Sequence, residues 1–117
     1  MIDRRRRKEL RAQHQQERPE AAVYRIVNRV SNKALLGTTP NLTSIRNKLE
    51  FAQSTNSPVV LDWRLAPDIR RDGIGAFALE ILEVLDVTPE MTPADIQADL
   101  ATLEALWREK LDPALLY

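Results

Sequence analysis

The chain has 117 residues, 44% of them hydrophobic, which suits one soluble domain with one modest core. It has no cysteine and a single histidine, His14, so disulfides, thiolate metal sites and multi-histidine sites are excluded, and any metal would be held by carboxylates, which favours magnesium or manganese. The formal charge is zero, but residues 1–50 carry 12 Lys and Arg against 5 Asp and Glu while residues 51–117 carry 5 against 12, so the first half is suited to a polyanion or to pairing with the second.

The opening "DRRRRKELRAQHQQER" has good helix formers but almost no apolar residue to bury, which predicts a basic helical arm over residues 1–19, ended by Pro19, with His14 at its surface. It lacks the apolar centre of a signal peptide, and no stretch approaches the roughly 20 apolar residues of a membrane helix, so a cytoplasmic location is expected. Residues 20–117 are read as one domain.

Val23 to Asn28 and Ala34 to Thr38 are rich in β-branched and aliphatic residues, and "RVSN" between them supplies a turn, which predicts a hairpin with Tyr24 and Ile26 on one face and Arg25 and Val27 on the other. From Asn41 to about Gln53, Leu42, Ile45, Leu49 and Ala52 recur at helical spacing. A second helix is expected from Ser57 as cap and Pro58 at its first position, ended or kinked by Pro67. "FALEILEVL" is short and flanked by glycines and a turn, which favours a strand from Phe77 to Val84. Thr92-Pro93-Ala94-Asp95 is a strong helix start, and Ile96, Leu100, Leu103, Trp107 and Leu111 trace one stripe down the helix it opens. The expected class is α/β in the α+β sense: a small three-stranded, mostly antiparallel sheet flanked by helices, with the arm in front.

Tyr24 and Gly37 stand thirteen residues apart across the hairpin, in "AVY" and "LLG", and "TTPNL" follows the glycine. That layout resembles the GIY-YIG nuclease family, in which a tyrosine-ending motif, a hairpin, a glycine-ending motif and a serine-rich entry to a helix follow one another. The later segments Asp62-Trp63, "GAFALEIL" and "LATLEALWREKLDP" keep the family order, so the resemblance runs over roughly residues 9 to 113, with a longer middle stretch. It implies metal-dependent cutting of DNA, with Tyr24 activating water, Glu104 holding one magnesium or manganese ion, and an arginine of the first core helix steadying phosphate charge. The residue types suit that chemistry, since a hard cation needs a carboxylate, a nucleophile needs a base in reach, and a phosphoryl anion needs a fixed guanidinium.

The sequence departs from this pattern at three positions. Leu35 stands where the family has a second tyrosine. The arginine position falls on Ile45, with Arg46 one residue later and about 100° around the helix. Leu49 stands where a basic residue or histidine is expected. Losing a positioned base or charge clamp costs roughly a hundredfold to a thousandfold in rate each, so cleavage is expected to be impaired or lost. Glu104 has the alternative of a helix salt bridge to Arg108, and Tyr24 that of a core tyrosine with its hydroxyl at the rim.

The expected nucleic-acid contacts are Arg4, Arg5, Arg6, Arg7, Lys8 and Arg11 of the arm, with Arg25 and Lys48. Two functions stay open: a DNA-binding nuclease-like domain built on Tyr24, Arg46 and Glu104, or a non-catalytic interaction module. The second is favoured by the aliphatic replacements and by the apolar ending "DPALLY", which also suits a homo-oligomer.

Overall fold

The computed structural model describes residues 20–57 and 61–117; the basic arm and Pro58 to Val60, with the expectations that fall on them, lie outside the described residues. The chain enters through β1 (Ala22–Asn28), turns at Arg29 to Asn32, and returns as β2 (Ala34–Thr39). The turn is closed by Asn28, whose backbone N–H donates to the Lys33 carbonyl at 2.8 Å, while Asn32 takes the left-handed backbone at φ 62°. Asparagine tolerates that conformation better than a branched residue.

Thr39 and Asn41 start the next helix, α1 (Leu42–Thr55). The Asn41 side chain accepts from the Ser44 N–H, and the Thr39 hydroxyl donates to the Asn41 carbonyl while accepting from the Asn41 N–H. The "TTPN" stretch is therefore a helix cap, whatever else it does. Asn56, left-handed at φ 54°, ends α1, and the Ser57 N–H then donates to the Ala52 carbonyl. Ser57 thus finishes α1.

Pro67 also differs from the expectation. Asp62 caps a 3-10 turn, Trp63–Leu65, and Pro67 lies in the first turn of a new short helix, α2 (Ala66–Asp72), where it starts a helix instead of ending one. A first-turn residue has no intrahelical acceptor for its N–H, so proline loses nothing there. β3 (Phe77–Val84) follows as read from the sequence, and α3 (Pro93–Lys110) opens with a complete capping box between Thr92 and Asp95.

The sheet order is β2-β1-β3, all antiparallel, an α+β arrangement with three α-helices among the described residues. β1 is central, with Tyr24 opposite Gly37 on one side and Ile81 on the other. Leu82 is an extra residue on β3, because Val23 pairs with Glu83. Such a bulge bends its strand locally. One face of the sheet carries Tyr24, Ile26, Leu35 and Phe77 into a cluster with Leu49 and Ala52 of α1 and Leu65 and Ile69 beyond it. By the period of two, Val23 and Leu36 point the other way; both are buried, and α3, running along β2 and β1, contributes the fully buried Leu100. The Trp107 indole N–H ties α3 to Glu83 of β3 at 2.9 Å.

The ending "DPALLY" is less exposed than its sequence suggests. Leu116 bridges Ala34 at the start of β2, the Tyr117 N–H donates to the Ala34 carbonyl, and the Tyr117 ring packs on the core while Leu115 remains exposed. No described helix is long and apolar enough to cross a membrane.

Candidate functional site

Tyr24 is the centre of the site. Its ring lies across the strand pair on Gly37: a Cβ added there would stand 2.8 Å from both Cζ and the hydroxyl oxygen of Tyr24. Only glycine lets the ring lie so close to the backbone. The ring is buried, with Ile45 of α1 and Leu61 packed against the same cluster.

Three charged groups from two other parts of the chain act on the Tyr24 hydroxyl electrostatically, Asp62 and Arg64 from the turn before α2 and Glu104 from α3, and none of them hydrogen-bonds it. Burial, then the Asp62 and Glu104 carboxylates, raise the Tyr24 hydroxyl above its ordinary pKa, with Arg64 opposing them. A phenol held neutral in this way is a hydrogen-bond donor and a poor base.

The charges are mutually engaged. Arg64 grips Asp62 with Nε and Nη2 at 3.0 and 2.9 Å, and its own N–H donates to the same carboxylate. This bidentate contact holds the Asp62 carboxyl below its ordinary range. Leu65, fully buried next to Arg64, fixes the turn against the core. Glu104 accepts from Arg108, one turn along α3, at 2.9 Å.

The donors do not fit a resident divalent cation. Both carboxylates near Tyr24 already face a guanidinium, and among the described residues no group of three or more His, Cys, Asp and Glu side chains converges. An oxygen-seeking cation of this kind needs several unneutralised donors or a phosphate brought with its ligand.

Of the three residues read as catalytic, the structure brings Tyr24 and Glu104 within electrostatic reach. It leaves Arg46 on the solvent side of α1, and Arg46 is in no ion pair of the described residues. Ile45 faces the cluster in its place. Sequence reading missed Asp62 and Arg64. The signal was an aspartate cap two residues before an arginine next to a buried leucine, and nothing in that pattern says that the turn folds against β1.

Among the expected nucleic-acid contacts, Arg25 is bound to Glu80, its cross-strand partner, at 2.6 Å. Lys48 lines a shallow groove on the outer face of α1 with Asn41, Thr43, Ser44, Asn47 and Phe51. Compared with protein-family models, curated proteins and solved structures, the chain matches none.

Proposed function

We propose that this protein is a nucleic-acid-binding domain on a divergent GIY-YIG-like nuclease scaffold, with metal-dependent cleavage lost. The observation that carries the reading is what surrounds Tyr24. The tyrosine keeps its ring on Gly37 and its hydroxyl within electrostatic reach of Asp62, Arg64 and Glu104, while Leu35 and Leu49 lie in the same apolar cluster and Ile45 packs against it. Where the resemblance asks for a second hydroxyl and basic groups, the chain has aliphatic side chains in close contact. Among the described residues, Asp62 and Glu104 are each paired to an arginine and Arg64 to Asp62, so neither a base for a nucleophile nor a guanidinium for a pentacoordinate phosphate is left free at Tyr24. DNA binding draws on the basic first half of the chain, which cleavage chemistry does not need.

The test is a binding and cleavage assay on single- and double-stranded DNA with magnesium or manganese. Binding that weakens steeply with salt and leaves the DNA intact is expected. Metal-dependent cleavage abolished by Glu104→Ala would overturn the loss of catalysis, and absence of binding at low salt would remove the nucleic-acid reading.

A second reading, an interaction module, is favoured by the exposed Ile81 and Val84 of β3 and Leu106 of α3. It predicts a concentration-dependent molecular mass that falls on Ile81→Lys.

A further inference from the structure

Most arginines whose partners the structure describes are neutralised: Arg25 by Glu80, Arg64 by Asp62, Arg71 by Asp68 and Asp72, and Arg108 by Glu104. The outer face of α1 differs. Ser44, Asn47, Lys48 and Phe51 stand at i, i+3, i+4 and i+7, so they form one surface strip, and they line the same shallow groove. Among the described residues no carboxylate lines it, and the first turn of α1 has no acidic residue. Lys48 is in no ion pair among the described residues.

The aromatic in this strip is presented, not buried. Phe51 is 55% exposed on a helix whose opposite side, through Leu42, Leu49 and Ala52, is held in the core. One exposed phenylalanine is ordinary. A phenylalanine beside a lysine, an amide and a hydroxyl, in a groove free of negative charge, is a surface of particular chemistry.

A second observation concerns where the basic arm joins. Glu20, the first described residue after it, accepts a hydrogen bond at 2.8 Å from the N–H of Leu42, the first residue of α1. The segment whose sequence carries Arg4 to Arg7, Lys8 and Arg11 therefore joins the described domain at Glu20, beside the N-terminal end of α1.

We propose that the outer face of α1 seats a single strand of nucleic acid, with Lys48 against a phosphate, Ser44 and Asn47 hydrogen-bonding the strand, and Phe51 stacked on an unpaired base. The inference rests on the nucleic-acid reading above and assigns it a surface separate from Tyr24. Single strands are favoured because a duplex hides the base faces that an aromatic ring needs, and a shallow groove has no wall deep enough to enter a duplex. An acidic peptide would use the cations but leave the ring without a partner. A membrane surface would call for a broad apolar face, and this strip has one phenylalanine among amides and hydroxyls.

The experiment is fluorescence anisotropy of a labelled mixed-sequence oligonucleotide, single-stranded and as duplex, against the full chain in low salt. The single strand binds more tightly. Lys48→Glu weakens its binding about tenfold and flattens the salt dependence by about one to two phosphate contacts. Phe51→Ala weakens single-strand binding about tenfold and changes duplex binding by no more than about twofold. Arg70→Glu, the same charge reversal on the exposed side of α2, leaves both affinities within about twofold of the parent. All three positions are exposed, and circular dichroism verifies that each variant is folded. If the parent binds but Lys48→Glu and Phe51→Ala bind as it does, the groove is not the seat and this inference alone falls. If the parent binds no oligonucleotide, or prefers vesicles containing phosphatidylserine, the nucleic-acid reading falls with it.

Discussion

β1 carries two polar side chains on its cluster-facing side, four residues apart, and they have opposite fates. At one end Asn28 is fully buried and every part of its amide is committed: Nδ2 donates to Asp72 at 2.8 Å and to the Tyr117 hydroxyl, and Oδ1 accepts from the Val30 N–H. Asp72 is itself held by Arg71, and Tyr117 donates to Asp68. At the other end the Tyr24 hydroxyl makes no hydrogen bond among the described residues, yet feels the charges of Asp62, Arg64 and Glu104. A completed network fixes a fold and leaves nothing for a ligand. An uncommitted hydroxyl among charges contributes little to stability and remains available for a contact.

The largest expected effect lies at the committed end of β1. Asn28→Ala removes the contacts that tie the hairpin turn to α2 and the chain's last residue, and leaves the Asp72 carboxylate short of a donor. Urea denaturation is expected to show a loss of about 2–4 kcal/mol at unchanged m-value. Tyr24→Phe removes only the uncommitted hydroxyl and is expected to stay within about 0.5 kcal/mol of the parent. Similar costs for the two would mean that the Tyr24 hydroxyl is structural after all.

Next in size is Gly37→Ala, expected to cost about 1–3 kcal/mol because the new methyl meets the Tyr24 ring. Its signature is coupling: in a Tyr24→Ala background the same substitution should cost almost nothing, and a double-mutant cycle measures the difference.

Smaller effects come from pH. Arg71, and then Asn28, hold the Asp72 carboxyl below its ordinary 3.8. A depressed folded pKa stabilises above the unfolded value, so this contribution is present above about 3.8 and disappears as pH falls through the lower folded value. Asn28→Ala should therefore move the acid-unfolding limb upward. Burial first, with the nearby carboxylates, raises Tyr24 above 10.0, and a raised pKa reverses the window. Stability is intact below 10.0 and is lost as pH rises through the folded value, which a tyrosinate absorbance titration of Tyr117→Phe isolates. The smallest effect is Arg108→Ala. Breaking one exposed i,i+4 pair with Glu104 should cost only about 0.3–0.5 kcal/mol, and a larger loss would show the pair to be part of the site.

What the sequence reveals depends on how far apart the interacting residues are. The hairpin, α1, β3 and α3 rest on local periods and caps, and the Thr92–Asp95 box and the Leu42, Leu49, Ala52 stripe sit as read. The stripe on α3 is thinner than its spacing suggests, with Leu100 fully buried and Ile96, Leu103 and Trp107 only partly so, because the helix covers mainly β2 and β1. The sequence reads Pro67 as ending or kinking a helix, and it starts one instead because the Asp62-capped turn before it sets up a new first turn, where proline is tolerated. Of the candidate site, Tyr24 and Glu104 follow from resemblance alone, and the electrostatic link of Arg64 to Tyr24 arises from tertiary folding that no spacing encodes. The Asn28–Asp72–Tyr117 network links residues 44 and 89 positions apart, beyond any pattern in the chain.

The ring of Tyr24 on Gly37 has a bearing on how such a chain can drift. A larger residue at position 37 collides with the ring, and a smaller one at position 24 leaves a hollow above the glycine, so a single step at either place is penalised by sterics alone. Each residue is thus the other's custodian. A tyrosine and a glycine at this separation are held to one another by packing alone, and their presence does not vouch for an activity.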